Sequence, residues 1–101
     1  MELRAGTTYR FRLINIRTDY TVPVALLDHG TPATWRLVAK DGADLPAEQA
    51  AVGPARLTFA PGEIYDVEFT PRNSGRLTLQ FGPGQPSLPD QKPTTVAVRV
   101  R

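Results

Sequence analysis

Tyr65-Asp66-Val67-Glu68-Phe69-Thr70, then Pro71-Arg72-Asn73-Ser74-Gly75, then Arg76-Leu77-Thr78-Leu79-Gln80-Phe81 is the stretch that decides the fold class. Tyr65, Val67 and Phe69 alternate with Asp66, Glu68 and Thr70, and Leu77, Leu79 and Phe81 alternate with Arg76, Thr78 and Gln80. Successive side chains of a β-strand point to opposite faces, so this period of two describes two strands, each with one buried face. The Pro, Asn, Ser and Gly cluster between them is turn chemistry. The stretch predicts two half-buried strands joined by a turn.

The same period recurs on both sides. Tyr9, Phe11 and Leu13 fall on one face and Arg10 and Arg12 on the other within Thr7 to Ile16. Tyr20, Val22, Val24 and Leu26 repeat the pattern, with Pro23 pointing to an edge or a bulge. Trp35, Leu37 and Ala39 alternate with Arg36 and Lys40, although Val38 is also apolar. Leu57 and Phe59 lie in a short run that ends at Pro61-Gly62, and Val96, Val98 and Val100 alternate with Ala97, Arg99 and Arg101. About seven short strands with turn signals between them predict an all-β antiparallel sandwich. The expected core is Phe11, Trp35, Leu37, Tyr65, Val67, Phe69, Leu79 and Val98.

Two connections are long. Asp41 to Pro54 contains Ala47-Glu48-Gln49-Ala50-Ala51, enough for one helical turn at most. Gly82 to Pro93 carries Pro83, Pro86, Pro89 and Pro93, which forbid a helix or a central strand. Loops of this length in a compact domain are often functional or disordered.

Composition sets limits on function. At 101 residues the chain is expected to be one domain, 1–101. A hydrophobic share of 41% fits a thin two-layer structure. No apolar run approaches the roughly 20 residues that span a bilayer, so no membrane partner is expected. Met1-Glu2-Leu3-Arg4 leads into a turn rather than a signal peptide, as in a cytoplasmic protein or a segment of a longer precursor. The net charge is +2, with basic residues spread along the chain among acids rather than set in a stripe with aromatics, so no nucleic-acid partner is expected. The chain has no Cys, which removes disulfides, iron–sulfur clusters, thiol nucleophiles and Cys-based zinc sites.

A search for chemistry finds little. His29, the one imidazole, lies in Leu27-Asp28-His29-Gly30-Thr31-Pro32. Asp28 and His29 could be half of a metal or acid–base site, but Asp-His-Gly-Thr-Pro is turn chemistry. Neighbours on a strand would also face opposite ways. Ser74 and Ser87 lie in turns without a nearby His or a G-x-S-x-G elbow. Asp66 and Glu68 share a strand face, and beside Arg10, Arg12 and Arg99 they read as exposed cross-strand ion pairs of about 0–1 kcal/mol each. Gly82-Pro83-Gly84 lacks the helix and Lys of a phosphate loop. No catalytic, cofactor-binding or metal-binding residue is assigned.

Three stretches in order resemble the cupredoxin-like domains of multicopper oxidases. Gly6-Thr7-Thr8-Tyr9-Arg10-Phe11-Arg12-Leu13-Ile14-Asn15 is similar to a strand that the family writes with R-L-R-[LIV]-[IV]-N. Ala39-Lys40-Asp41-Gly42 is similar to its A-x-D-G turn, and Pro61-Gly62-Glu63-Ile64-Tyr65-Asp66-Val67 to its P-G-E-x-Y-D-V strand entry. Together they cover roughly residues 3 to 81. The resemblance implies a cupredoxin-like Greek-key β-sandwich, with Tyr65 entering the core and its hydroxyl reaching back to the backbone.

The resemblance also makes an absence informative. A blue-copper site takes two His, a Cys thiolate and usually a weak axial Met. This chain has one His, no Cys and a single Met, at position 1. The His-x-His pairs that bridge a trinuclear cluster in relatives are absent as well. What remains resembles the copper-free middle domain of a three-domain enzyme, not expected to be a catalyst by itself, with copper in the parent protein and neighbouring cupredoxin domains as partners. Such a parent would be an O2-using oxidoreductase, and the family implies a periplasmic or extracellular setting. The alternative is a stand-alone β-sandwich interaction or carbohydrate-binding module without a redox role, in which the Pro-rich loop 82–93 and Trp35 would carry recognition. In-phase alternation of Trp35 with Leu37 favours its burial.

The family usually places a strand before the position of Gly6. Met1 to Ala5 is long enough only to start one, so a sheet edge is expected to remain open. An open edge leaves backbone N–H and C=O groups free to pair with another chain, and a weak antiparallel homodimer through that edge is expected.

Overall fold

A computed structural model of the chain describes residues 1–16, 20–82 and 92–101. These form eleven β-strand segments and no helix: β1 (Glu2–Leu3), β2 (Tyr9–Ile14), β3 (Val22–Asp28), β4 (Thr31–Pro32), β5 (Thr34–Lys40), β6 (Ala43–Asp44), β7 (Val52–Pro54), β8 (Arg56–Phe59), β9 (Ile64–Phe69), β10 (Gly75–Phe81) and β11 (Thr94–Val100). The seven with four or more residues are the strands that the alternation marks. The other four are too short to carry a period.

The strands make two sheets. The first runs β1-β11-β10-β3-β4, with β8 also paired to β3; the second runs β2-β9-β5-β6, with β7 also paired to β5. All pairings are antiparallel except β1 with β11. The sheets pack face to face as a sandwich whose thinnest dimension is 19 Å.

Both inner faces feed one core. The first sheet contributes Val24, Leu26, Phe59, Leu79, Val98 and Val100, and the second Leu13, Trp35, Val67 and Phe69. Phe59 and Tyr65 meet across the sheets with ring centroids 6.3 Å apart. Of the expected core, Trp35, Val67, Phe69, Leu79 and Val98 are buried, whereas Phe11, Leu37 and Tyr65 are partly buried and pack against it. Phe11 is less covered because β2 is an edge strand.

Two local features depart from simple alternation. The β5–β9 register shifts between Leu37 and Ala39, a bulge that accommodates the apolar Val38 and leaves Ala39 buried. Pro23 marks neither an edge nor a bulge, since β3 is flanked by β10 and β8. Its carbonyl accepts from Gly82 N–H at 2.8 Å, so its missing N–H points to the same side, beyond the last β10 pair at Val24 and Phe81. No β8 bond is lost there.

Between β6 and β7 the connection from Asp41 to Pro54 makes one helix-like turn, with Ala50 N–H donating to the Pro46 carbonyl at 3.1 Å. In the Pro-rich connection 82–93, residues 83–91 lie outside the described residues. The first residues do start a strand: β1 pairs with Arg99 and Val100 of β11. The edge beside Thr94 to Val98 of β11 has no partner strand among the described residues.

Candidate functional site

The three stretches that carry the resemblance meet at one end of the second sheet, where β2 ends, β9 begins and β5 turns into β6. Ala60-Pro61-Gly62-Glu63 closes with Glu63 N–H donating to the Ala60 carbonyl at 3.1 Å. Gly62 has φ +81°, as the third position of a type II turn requires after Pro. Asn15 locks onto this turn. Its N–H donates to the Glu63 carbonyl at 3.1 Å, and its own carbonyl accepts from Gly62 N–H at 2.8 Å. Its buried side-chain amide donates to the Phe59 carbonyl at 2.9 Å and the Tyr20 carbonyl at 3.3 Å.

Asp41 and Gly42 form a two-residue hairpin between Lys40 and Ala43, both with positive φ (51° and 84°). That conformation favours Asp-Gly. Asp41 also clamps the start of β9. Its N–H donates to the Ile64 carbonyl at 2.7 Å, and its Oδ1 accepts from Ile64 N–H at 2.9 Å. The adjacent Lys40 Nζ reaches Glu63 Oε2 at 2.9 Å and lies 5.6 Å from the centre of the Tyr65 ring. Glu63 Oε1 accepts from Ala60 N–H at 2.6 Å. The Lys40 hydrogen bond, aided by Ala60 N–H, holds the Glu63 carboxyl below its ordinary range, and Glu63 in turn raises Lys40. The Tyr65 hydroxyl points to Glu63 Oε2 at 3.4 Å, rather than to the backbone. A charged neighbour two residues away is the stronger acceptor.

Asp66 follows Tyr65 in β9. Its side chain is 4% exposed, yet it faces away from the core. Arg10 and Arg12 of β2 bind it from the neighbouring strand: Arg12 Nε to Oδ1 at 3.0 Å, Arg12 Nη2 to Oδ2 at 3.2 Å, Arg10 Nε to Oδ2 at 3.0 Å and Arg10 Nη2 to Oδ2 at 2.9 Å. The Arg12 hydrogen bond, with that of Arg10, holds the Asp66 carboxyl below its ordinary range against the opposing effect of burial. The expected exposed pairing is thus corrected in two ways. Asp66 is buried, and Arg99 belongs to the other sheet, opposite Arg76.

These contacts limit the chemistry. With four N–H donors on its two oxygens, Asp66 has little capacity left to accept a proton or bind a metal ion. Glu63 is similarly engaged. The corner and the buried carboxylate fasten β2, β5 and β9 together and present no open acceptor.

The remaining candidates lie elsewhere. His29 and Gly30 form a second hairpin turn of positive φ (50° and 84°) between β3 and β4. Because His29 is in this turn and not in a strand, the argument from opposite strand faces does not apply, and its Nε2 comes within 3.6 Å of Asp28 Oδ1. Both side chains are exposed. Ser74, distant in sequence, shares an end cleft of about 440 Å³ with Asp28 and His29, a proximity that sequence spacing does not reveal. Neither a Ser74–His29 hydrogen bond nor an Asp28–His29 contact of hydrogen-bond length is formed among the described residues, as an activated nucleophile would need. Ser87 lies outside them. Trp35 is buried at 4% exposure and displays no aromatic face.

The donor set does not fit a blue-copper centre: His29 is 91% exposed on its side chain, Met1 is exposed, and no Cys exists. Among the described residues, no group of three or more His, Cys, Asp or Glu is placed to hold a metal ion. No family model matches the chain, and no curated protein matches it.

Proposed function

We propose that this chain is a copper-free cupredoxin-like domain, with Greek-key connections, of a longer multicopper oxidase. Its role there is structural, packing between copper-bearing domains of an oxidoreductase that uses O2, and it carries no catalytic residue of its own. The observation that carries this reading is the convergence of the three stretches. Asn15, the Lys40-Asp41-Gly42 hairpin and the Pro61-Gly62-Glu63 turn are distant in sequence yet bond to one another at a single corner. Repeated crossing of the chain between the sheets is also what a Greek-key sandwich would have. The alternative, a stand-alone recognition module, loses its main aromatic candidate because Trp35 is in the core.

Two measurements test the proposal. The genomic sequence around the reading frame should encode flanking domains with His-x-His pairs and a Cys between His residues; a bare reading frame would sink it. The purified chain titrated with Cu(II) should take up no stoichiometric copper and show no absorption near about 600 nm, where copper–thiolate sites absorb. A blue product would overturn the copper-free assignment.

A further inference from the structure

The outer face of the first sheet is built from rows of residues that its register aligns. One row joins Arg76 of β10 to Arg99 of β11 and Glu2 of β1. The next joins Leu27, Thr78 and Ala97, and the third joins Arg56, Ala25, Gln80 and Thr95 across β8, β3, β10 and β11. The middle carries no charged residue in these rows, and a shallow hollow of about 520 Å³ lies at the β8 end beside Pro23, Arg56 and Gln80.

The charge at its ends is one-sided. Arg76 stands directly opposite Arg99, a cross-strand arrangement of like charges that costs stability. Among the described residues, neither of them nor Arg56 has a carboxylate within salt-bridge distance, and Glu2, the carboxylate of these rows, is engaged by Arg101 at 2.9 Å. Among the described residues the fold supplies no carboxylate to offset this placement. A partner bearing carboxylates would.

We infer that the outer face of the first sheet is a docking surface for a folded protein partner with a neutral centre and carboxylates at its rim. The anchor points are Arg76 with Arg99 at one end and Arg56 at the other. Three strand steps across and four residues along separate Arg56 from Arg99, so the partner's carboxylates lie about 20 Å apart. A protein is favoured over a nucleic acid because the rows present no aromatic for base stacking and no continuous basic track. The inference rests on the reading of this chain as a domain that packs between neighbours, and it names the face that does so.

A titration of the isotope-labelled chain with a polyglutamate peptide long enough to bridge the two ends tests this by amide chemical shifts. Shifts should concentrate at Arg56, Arg76, Thr78, Ala97 and Arg99 and fade with added salt. Arg76→Glu with Arg99→Glu should weaken binding about tenfold or more, while Arg36→Glu on β5 of the other sheet should leave it unchanged. If the reversal disturbs folding, Arg76→Gln with Arg99→Gln removes the charges more gently. Shifts spread over all arginines, or centred on Arg36 of the second sheet, would overturn the inference. So would tighter binding of a DNA duplex through the same arginines. Copper uptake by the chain would overturn the domain reading alone and leave this titration unaffected.

Discussion

The outer faces of the two sheets carry the same residue types and use them in opposite ways. On the second sheet, Arg10 and Arg12 converge on Asp66. On the first, Arg56, Arg76 and Arg99 stand without such partners among the described residues, two of them side by side. Alternation in the sequence marks both sets simply as outward-facing. The difference lies in what the adjacent strand places opposite: β9 brings an acid to β2, whereas β11 brings an arginine to β10. Charge that closes on itself serves the fold, whereas the open charge of the first sheet is the ground of the proposed docking face.

Both faces depend on the core between them, so the largest effect belongs there. Phe69→Ala empties a buried position stacked on Phe11 at 6.5 Å and should cost about 3–5 kcal/mol in urea denaturation, much of a small domain's stability. A midpoint close to that of the parent chain would show that the assigned strand phase is wrong.

Next comes the buried carboxylate. Asp66→Asn keeps the shape but removes the charge that two arginines bind, and should cost about 1–3 kcal/mol by the same measurement. The lower part of that range applies if Arg10 and Arg12, which are half-exposed, turn to water. A neutral result would break the contrast between the faces.

Acid should reveal the same carboxylates. Asp66 and Glu63 are both held below their ordinary ranges in the fold, so on acidification the unfolded chain takes up protons first. Their stabilisation is complete above about pH 4–4.5 and is lost as pH falls through their lower folded-state values. The melting midpoint should therefore decline below that range, less steeply in Asp66→Asn than in the parent chain. Parallel declines would remove Asp66 from the account.

Much of this architecture is legible in the sequence, and the rest is hidden for identifiable reasons. Each of the seven longer strands has enough residues to show a period of two. The two- and three-residue strands β1, β4, β6 and β7 have too few. The Leu37-Val38-Ala39 run hints at a break in phase, but only the pairing with β9 shows it to be a bulge. Asp66 reads as an outward, exposed acid because alternation gives direction and not cover. Its burial comes from Arg10 and Arg12, more than fifty residues away in sequence. The quoted stretches identify the corner residues, but the paired bonds of Asp41 with Ile64 and of Asn15 with Gly62 and Glu63 depend on the way the strands meet.

The smallest expected effect bears most directly on the contrast between the faces. Arg12→Thr and Arg99→Thr remove one outward arginine each, from the second and the first sheet, and Thr suits a strand position in both. Melting midpoints at neutral pH and low salt should move in different directions. Arg12→Thr should melt lower than the parent chain, because Asp66 loses the guanidinium that bonds both of its oxygens. Arg99→Thr should melt at the same temperature or about 1–4 °C higher, because a like-charge pair is relieved. If Arg99→Thr melts as low as Arg12→Thr, the arginines of the first sheet serve the fold after all, and the distinction between the two faces is contradicted.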